Sequence, residues 1–263
     1  MKTTVKLILY YFAYQLAILF ILMACYAGWV FIEKGNFDFS LGMPITLSLI
    51  ANTLVILLMT WQLIHYKYIP INRQSLNTGN TKTALICIII GISAIFWMNY
   101  LSDIVRLPDW FKNTFTEMQD NPLGIINICI LAPIFEELFF RGAIEGSILR
   151  SYRNPAVGII VSALIFGLIH ANPAQVVFAF LFGIILGFIY YRTKSITLPI
   201  ILHFINNTVS VILSIMYPEY ETLTDILGKS TMTILAIISL FVFIIAIRFF
   251  IKDTKISKWY IKE

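Results

Sequence analysis

The sequence contains few charged residues, and this scarcity limits the class of protein that it can encode. Asp, Glu, Lys and Arg make up 13% of the 263 residues, whereas hydrophobic residues make up 59%. A typical soluble domain has about 25% charged and about 45–50% apolar residues. The composition therefore excludes an ordinary soluble domain. It predicts an all-α fold, a polytopic bundle of transmembrane helices that forms a single membrane domain over residues 1–263.

Cysteine is equally scarce. The three cysteines, Cys25, Cys87 and Cys129, are scattered within apolar runs. An odd and scattered set excludes a disulfide framework, and no CxxC spacing indicates a metal site. We therefore interpret the cysteines as small residues of the helix packing. The sequence also lacks internal repeats, low-complexity segments and any loop long enough to fold alone.

Hydrophobic runs that approach the ~20 residues needed to cross a bilayer occur along the whole chain. They predict eight spans, at residues 5–32, 43–64, 83–101, from 123 onwards, 157–170, 176–191, 196–216 and 232–250. The first run contains a box, Leu22 to Cys25, that is typical of a lipoprotein signal peptide. Because the run continues to Ile32, an uncleaved span is favoured.

Two dipeptides interrupt the second half of this pattern. Asn154-Pro155 and Asn172-Pro173 predict helix breaks, because the residue before a proline disfavours the helical conformation. On the sixth span, the glycines of Gly183–Gly187 form a GxxxG pattern, which indicates close helix packing.

Positive charges are distributed unevenly over the loops between the spans. If the N-terminus is cytoplasmic, the inner segments hold Lys2, Lys6, Lys67, Arg73, Lys82, Arg141, Arg150, Arg153, Arg192, Lys194, Arg248, Lys252, Lys255, Lys258 and Lys262. The outer segments hold only Lys34, Arg106, Lys112 and Lys229. This asymmetry predicts that both termini are cytoplasmic. The net charge of +5 is spread beside apolar runs rather than gathered in one patch, which excludes nucleic acid as a partner.

Three charged residues interrupt the fourth span, where a charge near the bilayer centre costs at least ~2.5–3.5 kcal/mol. Glu137 and Arg141 are four residues apart and share a helix face, which predicts an ion pair. Glu136 is rotated by about 100° from Glu137 and can point elsewhere. The span is therefore predicted to carry a self-neutralising pair and one remaining carboxylate.

Two histidines, His170 and His203, lie within or at the end of apolar spans, and Asn207 shares a helix face with His203. Ionisable residues at such places are functional candidates, with a neutral histidine hydrogen-bonded between helices as the alternative. A desolvated carboxylate is a better base near neutral pH, and imidazole and amide groups can stabilise an oxyanion. The set points to hydrolytic acyl transfer with water as the nucleophile.

The polar residues form three ordered motifs on separate spans. These motifs are Glu136-Glu137-x-x-x-Arg141, Phe166-x-x-x-His170 and His203-x-x-x-Asn207. The ordered set resembles the CAAX protease and bacteriocin-processing family (CPBP, also called Abi), whose eukaryotic relative is the type II CAAX prenyl endopeptidase. The resemblance covers residues 121–211, which are predicted to be the catalytic core, while residues 1–120 supply accessory spans.

The resemblance implies an intramembrane endopeptidase with a role for each motif residue. Glu136 would activate water with the help of His170, while His203 and Asn207 would form the oxyanion site. The ion pair of Glu137 and its arginine would support them. The implied substrate is a hydrophobic or lipidated peptide, of the CAAX type or the leader or pheromone type, and the implied surroundings are the lipid bilayer.

Zinc is the alternative to a metal-free mechanism. A catalytic zinc takes three protein ligands, which would be Glu136, His170 and His203. However, the sequence has no HExxH pattern, and the amide on the His203 helix is a poor zinc ligand. The adjacent carboxylates also diverge by about 100°. A glutamate mechanism that requires no cofactor is therefore favoured.

The depth of the site depends on where the fourth span ends. An end at Arg141 would leave Glu136 only ~8 Å deep, so a tilted helix that continues to Arg150 is favoured. His203 would still lie at a different depth. A basic rim of Arg141, Arg150 and Arg192 predicts a site that opens to the cytoplasm from the cytoplasmic membrane.

Two other functions compete with a peptidase. A transporter or channel would use the Glu/His set to relay protons or ions, but the set comes from one half of the chain and no inverted repeat is visible. A non-catalytic scaffold or immunity protein would keep the motifs without using them, and the intact motifs disfavour it. The oligomeric state is left open.

Overall fold

The computed structural model describes residues 2–36, 42–256 and 259. Lys258 and Lys262, two of the predicted inner charges, lie outside this described part. The described residues form helices joined by short loops, with no β-strand among them. The helices are α1 Lys2–Lys34, α2 Ile45–His65, α3 Thr81–Val105, α4 Lys112–Gln119, α5 Pro122–Ser151, α6 Pro155–Ile169, α7 Pro173–Thr193, α8 Thr197–Met216, α9 Leu223–Leu227 and α10 Lys229–Asp253.

The predicted all-α polytopic bundle is confirmed. Within the described residues, seven helices are long and apolar enough to cross a membrane, namely α1, α2, α3, α5, α7, α8 and α10. The protein is therefore an integral, multi-pass membrane protein. The remaining predicted span, α6, is apolar but only 15 residues long. Its length of ~22 Å is less than the ~30 Å hydrocarbon core, so α6 is shorter than a full span.

Both predicted proline breaks are present, and each proline occupies the first turn of the helix that follows. The Asn154 side chain accepts a hydrogen bond from the Ala156 backbone N–H at 3.0 Å and caps α6. A proline is tolerated at this position because its missing N–H would have no partner within the helix. The two breaks therefore fix both ends of the short helix α6.

The fourth predicted span is one continuous helix, α5, which runs past Arg141 to Ser151 as the favoured interpretation requires. Two of its segments, Asn127–Leu131 and Glu137–Glu145, are π-helical. Wide π turns are rare and frequently occur at functional sites. Carbonyl groups in or beside them bind side chains of other helices: Ser162 Oγ donates to Phe140 O at 2.9 Å and Asn207 Nδ2 donates to Ile128 O at 2.9 Å.

The GxxxG pattern on α7 serves two purposes. A Cβ atom on Gly183 would lie 3.1 Å from Cα of Ala163, so this glycine allows the close packing of α6 and α7 that the pattern predicts. A Cβ atom on Gly187 would instead lie 2.6 Å from Oε2 of Glu145, so the second glycine makes room for a buried carboxylate of α5.

Gly167 on α6 gives a direct test of this packing. A Cβ atom there would lie 2.7 Å from the backbone oxygen of Val176, which cannot move away as a flexible side chain would. Gly167→Ala is therefore expected to lower the stability by about 1–3 kcal/mol, as overpacking does. Gly28→Ala on α1 is the matched control, because nothing lies within 4 Å of its Cβ position. Equal melting temperatures of the two variants in detergent would contradict the contact.

Candidate active site

The ion pair that the four-residue spacing predicts is present at the centre of α5. Nε of Arg141 lies 3.0 Å from Oε2 of Glu137, and both side chains are completely buried. The Arg141 guanidinium also lies over the Phe166 ring, 4.6 Å from its centroid. A charge without water needs such partners, because desolvation is expensive. The pair holds a full positive and a full negative charge inside the bundle.

Glu137 has a second partner, which the sequence does not reveal. Its other oxygen, Oε1, lies 2.8 Å from Nδ1 of His203 on α8. A carboxylate can only accept, so the imidazole donates its Nδ1 hydrogen to Glu137. Arg141, Glu137 and His203 therefore form one charged chain across two helices, and the opposite nitrogen, Nε2, is the free one.

Glu136 lies on the far side of this imidazole. Its Oε2 is 3.8 Å from Nε2 of His203, beyond hydrogen-bond distance. The Glu136 side chain is 23% exposed, whereas Glu137 is fully buried. The two adjacent carboxylates thus point to different surroundings, as the 100° helical rotation predicts. Glu137 has a partner at each oxygen, whereas Glu136 is partly exposed and its Oε2 is buried without a hydrogen bond in the described structure.

The Phe166 ring contacts both histidines of the motifs. His170 and His203 both meet it edge-on, with ring centroids 5.1 Å and 5.7 Å away. Nδ1 of His170 lies 2.7 Å from the backbone oxygen of Phe166, so its Nε2 is also the free nitrogen. Phe166 itself is almost fully buried. The second motif therefore supplies both an imidazole and the apolar wall between the two histidines.

Asn207 lies one turn beyond His203 on α8. Its Nδ2 donates to Ile128 O at 2.9 Å, within the first π-helical segment, and its Oδ1 accepts from Asn206 Nδ2 at 3.1 Å. These bonds fix the orientation of the amide. One N–H of the amide is thus engaged by the backbone of α5.

The predicted difference in depth of His203 is resolved by where α8 begins. A Cβ atom on Gly142 of α5 would lie 3.3 Å from Ile196, the residue before α8. Backbone N–H of Ile196 donates to Ser75 O at 2.8 Å, so the segment 66–80 holds this helix start inside the bundle. Along α5, Glu137 is five residues from Gly142, and along α8, His203 is six residues from the start of the helix. Both separations correspond to ~8–9 Å along a helix axis, so the side chains of Glu137 and His203 lie at the same level and meet.

Two of the three arginines of the predicted basic rim are buried, and only Arg150 is partly exposed. Arg141 is completely buried in the site, and Arg192 is 8% exposed. Arg192 donates to Oγ1 of Thr254 at 3.0 Å and to the backbone oxygen of Ile251 at 2.6 Å, so it ties α7 to the end of α10. The two guanidinium groups bind protein partners because burial leaves them no water. The predicted rim is thus reduced to Arg150, and the side on which the site opens stays a prediction.

Two residues beside the site were missed by the sequence analysis. Glu145 is 1% exposed on α5, four residues after Arg141, the same spacing that identified the ion pair. Tyr11 of α1 packs its ring against Phe135 and Phe139, with centroids 5.7 Å and 5.8 Å apart. No sequence pattern of α1 indicates this contact. The N-terminal span thus lies directly against the helix that carries the carboxylates.

The spacing of the candidate ligands bears on the zinc alternative. Within the described part of the chain, no three His, Cys, Asp or Glu side chains are grouped closely enough to hold one metal ion. The zinc set of Glu136, His170 and His203 is therefore not assembled as three ligands in this arrangement. One nitrogen of each imidazole is bound, to Phe166 O or to Glu137, which is the usual arrangement of a histidine whose other nitrogen holds a metal. The donor groups therefore suit zinc, and it is the spacing of the side chains that does not.

Taken together, the fold and the site define an integral membrane protein with a buried site of carboxylates and histidines. Residues 118–209 match the family model described as type II CAAX prenyl endopeptidase Rce1-like. All three motifs lie within this segment. The resemblance predicted from the motifs is therefore confirmed.

Three curated proteins are similar to a part of the chain. "Putative membrane peptidase YdiL" of Bacillus subtilis (strain 168) is 37% identical over 98 residues, which are 37% of this chain and 40% of the relative. "Membrane-embedded CAAX protease MroQ" of Staphylococcus aureus (strain USA300) is 34% identical over 103 residues, or 37% and 42%. "UPF0177 protein in abiGi 5'region" of Lactococcus lactis subsp. cremoris is 31% identical over 102 residues, or 38% and 41%.

The chain thus matches about two fifths of the length of these relatives. No solved structure matches the chain.

Proposed function

We propose that this protein is a membrane endopeptidase that hydrolyses a peptide bond with water activated by Glu136. The observation that carries the proposal is the position of His203. Glu137 binds its Nδ1 at 2.8 Å, which directs Nε2 toward Glu136, 3.8 Å away. A base and a hydrogen-bonding group then face one space, as acyl transfer to water requires. The similarity to a family of endopeptidases supports the same reaction.

In the proposed reaction, Glu136 takes a proton from water while the water oxygen attacks the peptide carbonyl carbon. The carbonyl oxygen becomes an oxyanion, which His203 and Asn207 stabilise. Because Nδ1–H of His203 is bound to Glu137, donation from Nε2 to the oxyanion requires the imidazolium form, which carries a hydrogen on both nitrogens. Collapse of the tetrahedral intermediate breaks the C–N bond, and the proton held by Glu136 passes to the leaving amine. His170 assists Glu136 by orienting the attacking water. Glu137 and its arginine do not touch the substrate and hold His203 in place.

A hydrophobic or lipidated peptide is the substrate class that we propose. The bundle places Glu136 fourteen residues from one end of α5 and fifteen from the other, so the site lies near the middle of a membrane-spanning helix. A peptide must leave water to reach it, which favours an apolar or lipid-bearing segment. One relative is named a CAAX protease, which supports the same class. We further propose the cytoplasmic membrane, with both termini and the opening of the site on the cytoplasmic side.

Comparative peptidomics tests this function. Membranes that contain the wild-type protein are compared with membranes that contain Glu136→Ala, and released peptides are identified by mass spectrometry. We expect peptides with new ends near a hydrophobic or lipidated segment in the wild-type sample alone. Identical peptide sets from both membranes would overturn the proposed activity.

Metal removal separates the glutamate mechanism from the zinc alternative. We expect the purified protein to keep its cleavage activity after dialysis against a strong chelator, because no step of the proposed reaction involves a metal. Elemental analysis should find less than one zinc per protein. Loss of activity on chelation, restored by zinc, would establish the metal-dependent reaction instead. A zinc peptidase treated in parallel shows that the chelator works.

A further inference from the structure

The turn that follows His170 is covered by a segment from a distant part of the chain. This turn joins α6 to α7 and contains Ala171 and Asn172. The covering segment, residues 106–111, joins α3 to α4 and lies outside the part of the sequence that matches the endopeptidase family. Three hydrogen bonds connect the two. They are Asn172 Nδ2 to Asp109 Oδ1 at 2.8 Å, Trp110 N to Asn172 Oδ1 at 3.1 Å and Ala174 N to Pro108 O at 3.2 Å.

Asn172 is completely buried, although it lies at a helix break. Its amide gives one hydrogen to Asp109 and accepts one from the Trp110 backbone, so both ends of the amide are used. A buried amide with unmade bonds is costly, and here both bonds go to the same short segment. Asp109 is itself exposed, and its Oδ1 also accepts from Phe111 N at 3.0 Å, which holds the carboxylate in place.

The turn needs such support because its backbone is unusual. Ala171 has φ of +51°, in the left-handed region that residues with a Cβ rarely adopt. A residue held in that region persists where its surroundings determine its conformation. His170 is the residue immediately before it. The direction in which α6 ends, and with it the position of the His170 imidazole, therefore depends on the contacts of this turn.

We propose that Asp109 and Asn172 form a latch that positions His170 and closes the site on the side opposite to its opening. The inference rests on the proposed function, in which His170 orients the attacking water. Because α6 is too short to span the membrane, at least one of its ends lies within the hydrocarbon depth. We place that end at His170, where the segment 106–111 covers the following turn. With both termini cytoplasmic, this cover is on the outer side. Asp109 and Asn172 are positioning residues and do not touch the substrate.

Exchanging the two side chains tests the latch. Asn172→Asp places two carboxylates at the 2.8 Å contact, so they repel and the turn is released. A displacement of a catalytic group by ~1 Å can lower the rate on the order of 100-fold. We therefore expect kcat of this variant to fall by about 10- to 100-fold with little change in KM. Asp109→Asn keeps an acceptor for Asn172 and should retain wild-type kcat. The double variant Asp109→Asn/Asn172→Asp restores a donor and acceptors in exchanged order, and kcat should recover.

A second variant keeps the test informative if Asn172→Asp does not fold. Asp109→Ala removes the acceptor from an exposed loop and should also lower kcat, whereas Asp120→Ala in the same outer region should not. Asp120 is likewise exposed and is the matched control. Recovery of kcat in the double variant cannot arise from a general loss of stability, because two destabilising changes would add.

Hydrogen exchange measured by mass spectrometry reads the contact without any cleavage. The amides of Trp110 and Ala174, which donate across the interface, should exchange faster in Asn172→Asp and slow again in the double variant. If exchange follows this pattern and kcat does too, the latch is supported. Unchanged exchange, or changed exchange with unchanged kcat, overturns it. If the wild-type protein cleaves nothing, the proposed function fails, and exchange alone then decides whether the covering contact exists.

Discussion

Glu136→Gln is expected to lower kcat by about 10²–10⁴-fold, because a general base contributes about that much and an amide cannot accept the proton of water. Glutamine has the size of glutamate and leaves the ion pair of α5 untouched. The melting temperature in detergent should therefore stay close to that of the wild-type protein. Cleavage of a peptide identified in the membrane comparison measures kcat.

The exposed Glu117 provides a matched control for this change, since it lies in α4, outside the site. Glu117→Gln alters the net charge by the same amount and should leave both kcat and the melting temperature unchanged. If Glu136→Gln cleaves at the wild-type rate, another residue activates the water, and the role assigned to Glu136 is wrong.

Glu137→Gln is expected to have the largest effect on stability. It leaves the completely buried guanidinium of Arg141 without an anionic partner, and breaking a buried ion pair by removing one member costs about 3–5 kcal/mol. It also replaces the charged acceptor of His203 by a neutral one, so kcat should fall as well. Thermal or denaturant unfolding in detergent measures the first effect, and peptide cleavage measures the second.

The neighbouring position supplies the internal control for this second prediction. Glu136→Gln and Glu137→Gln are the same chemical change one residue apart, yet the first should affect activity and the second both activity and stability. Adding Arg141→Met to Glu137→Gln should recover part of the lost stability, since it removes the uncompensated buried charge. Unchanged unfolding of Glu137→Gln would show that the ion pair contributes nothing to the fold.

The sequence indicates the local part of this site because local geometry follows from the chain itself. A helix brings residues i and i+4 to one face, so the spacing of Glu137 and Arg141 is enough to predict their contact. The same rotation separates Glu136 from its neighbour. Length and hydropathy likewise predict which segments become helices, and the proline dipeptides predict where α6 begins and where α7 begins. The roles of the motif residues in catalysis remain predictions.

Contacts between helices could not be predicted from these local rules. The bond between Glu137 and His203 requires α8 to begin beside Gly142, which the folded segment 66–80 decides through its own hydrogen bonds. The π-helical turns of α5 have no signal in the sequence, and a carbonyl group within them binds Ser162 on another helix. The sequence placed Arg141 in a basic rim for the same reason, since it does not show the buried partners of that side chain on another helix.

The class of protein, its long helices and the one-turn pairing within α5 can therefore be predicted from the sequence. Those features depend on hydropathy and on the 3.6-residue period of the helix, which act over a few residues. The contact of Glu137 with His203, and that of Asp109 with Asn172, 63 residues away, become visible once the helices are packed. Such contacts depend on where in the bundle a helix such as α8 begins, and on which segment covers the end of the short helix α6. Both are set by the packing of the whole bundle.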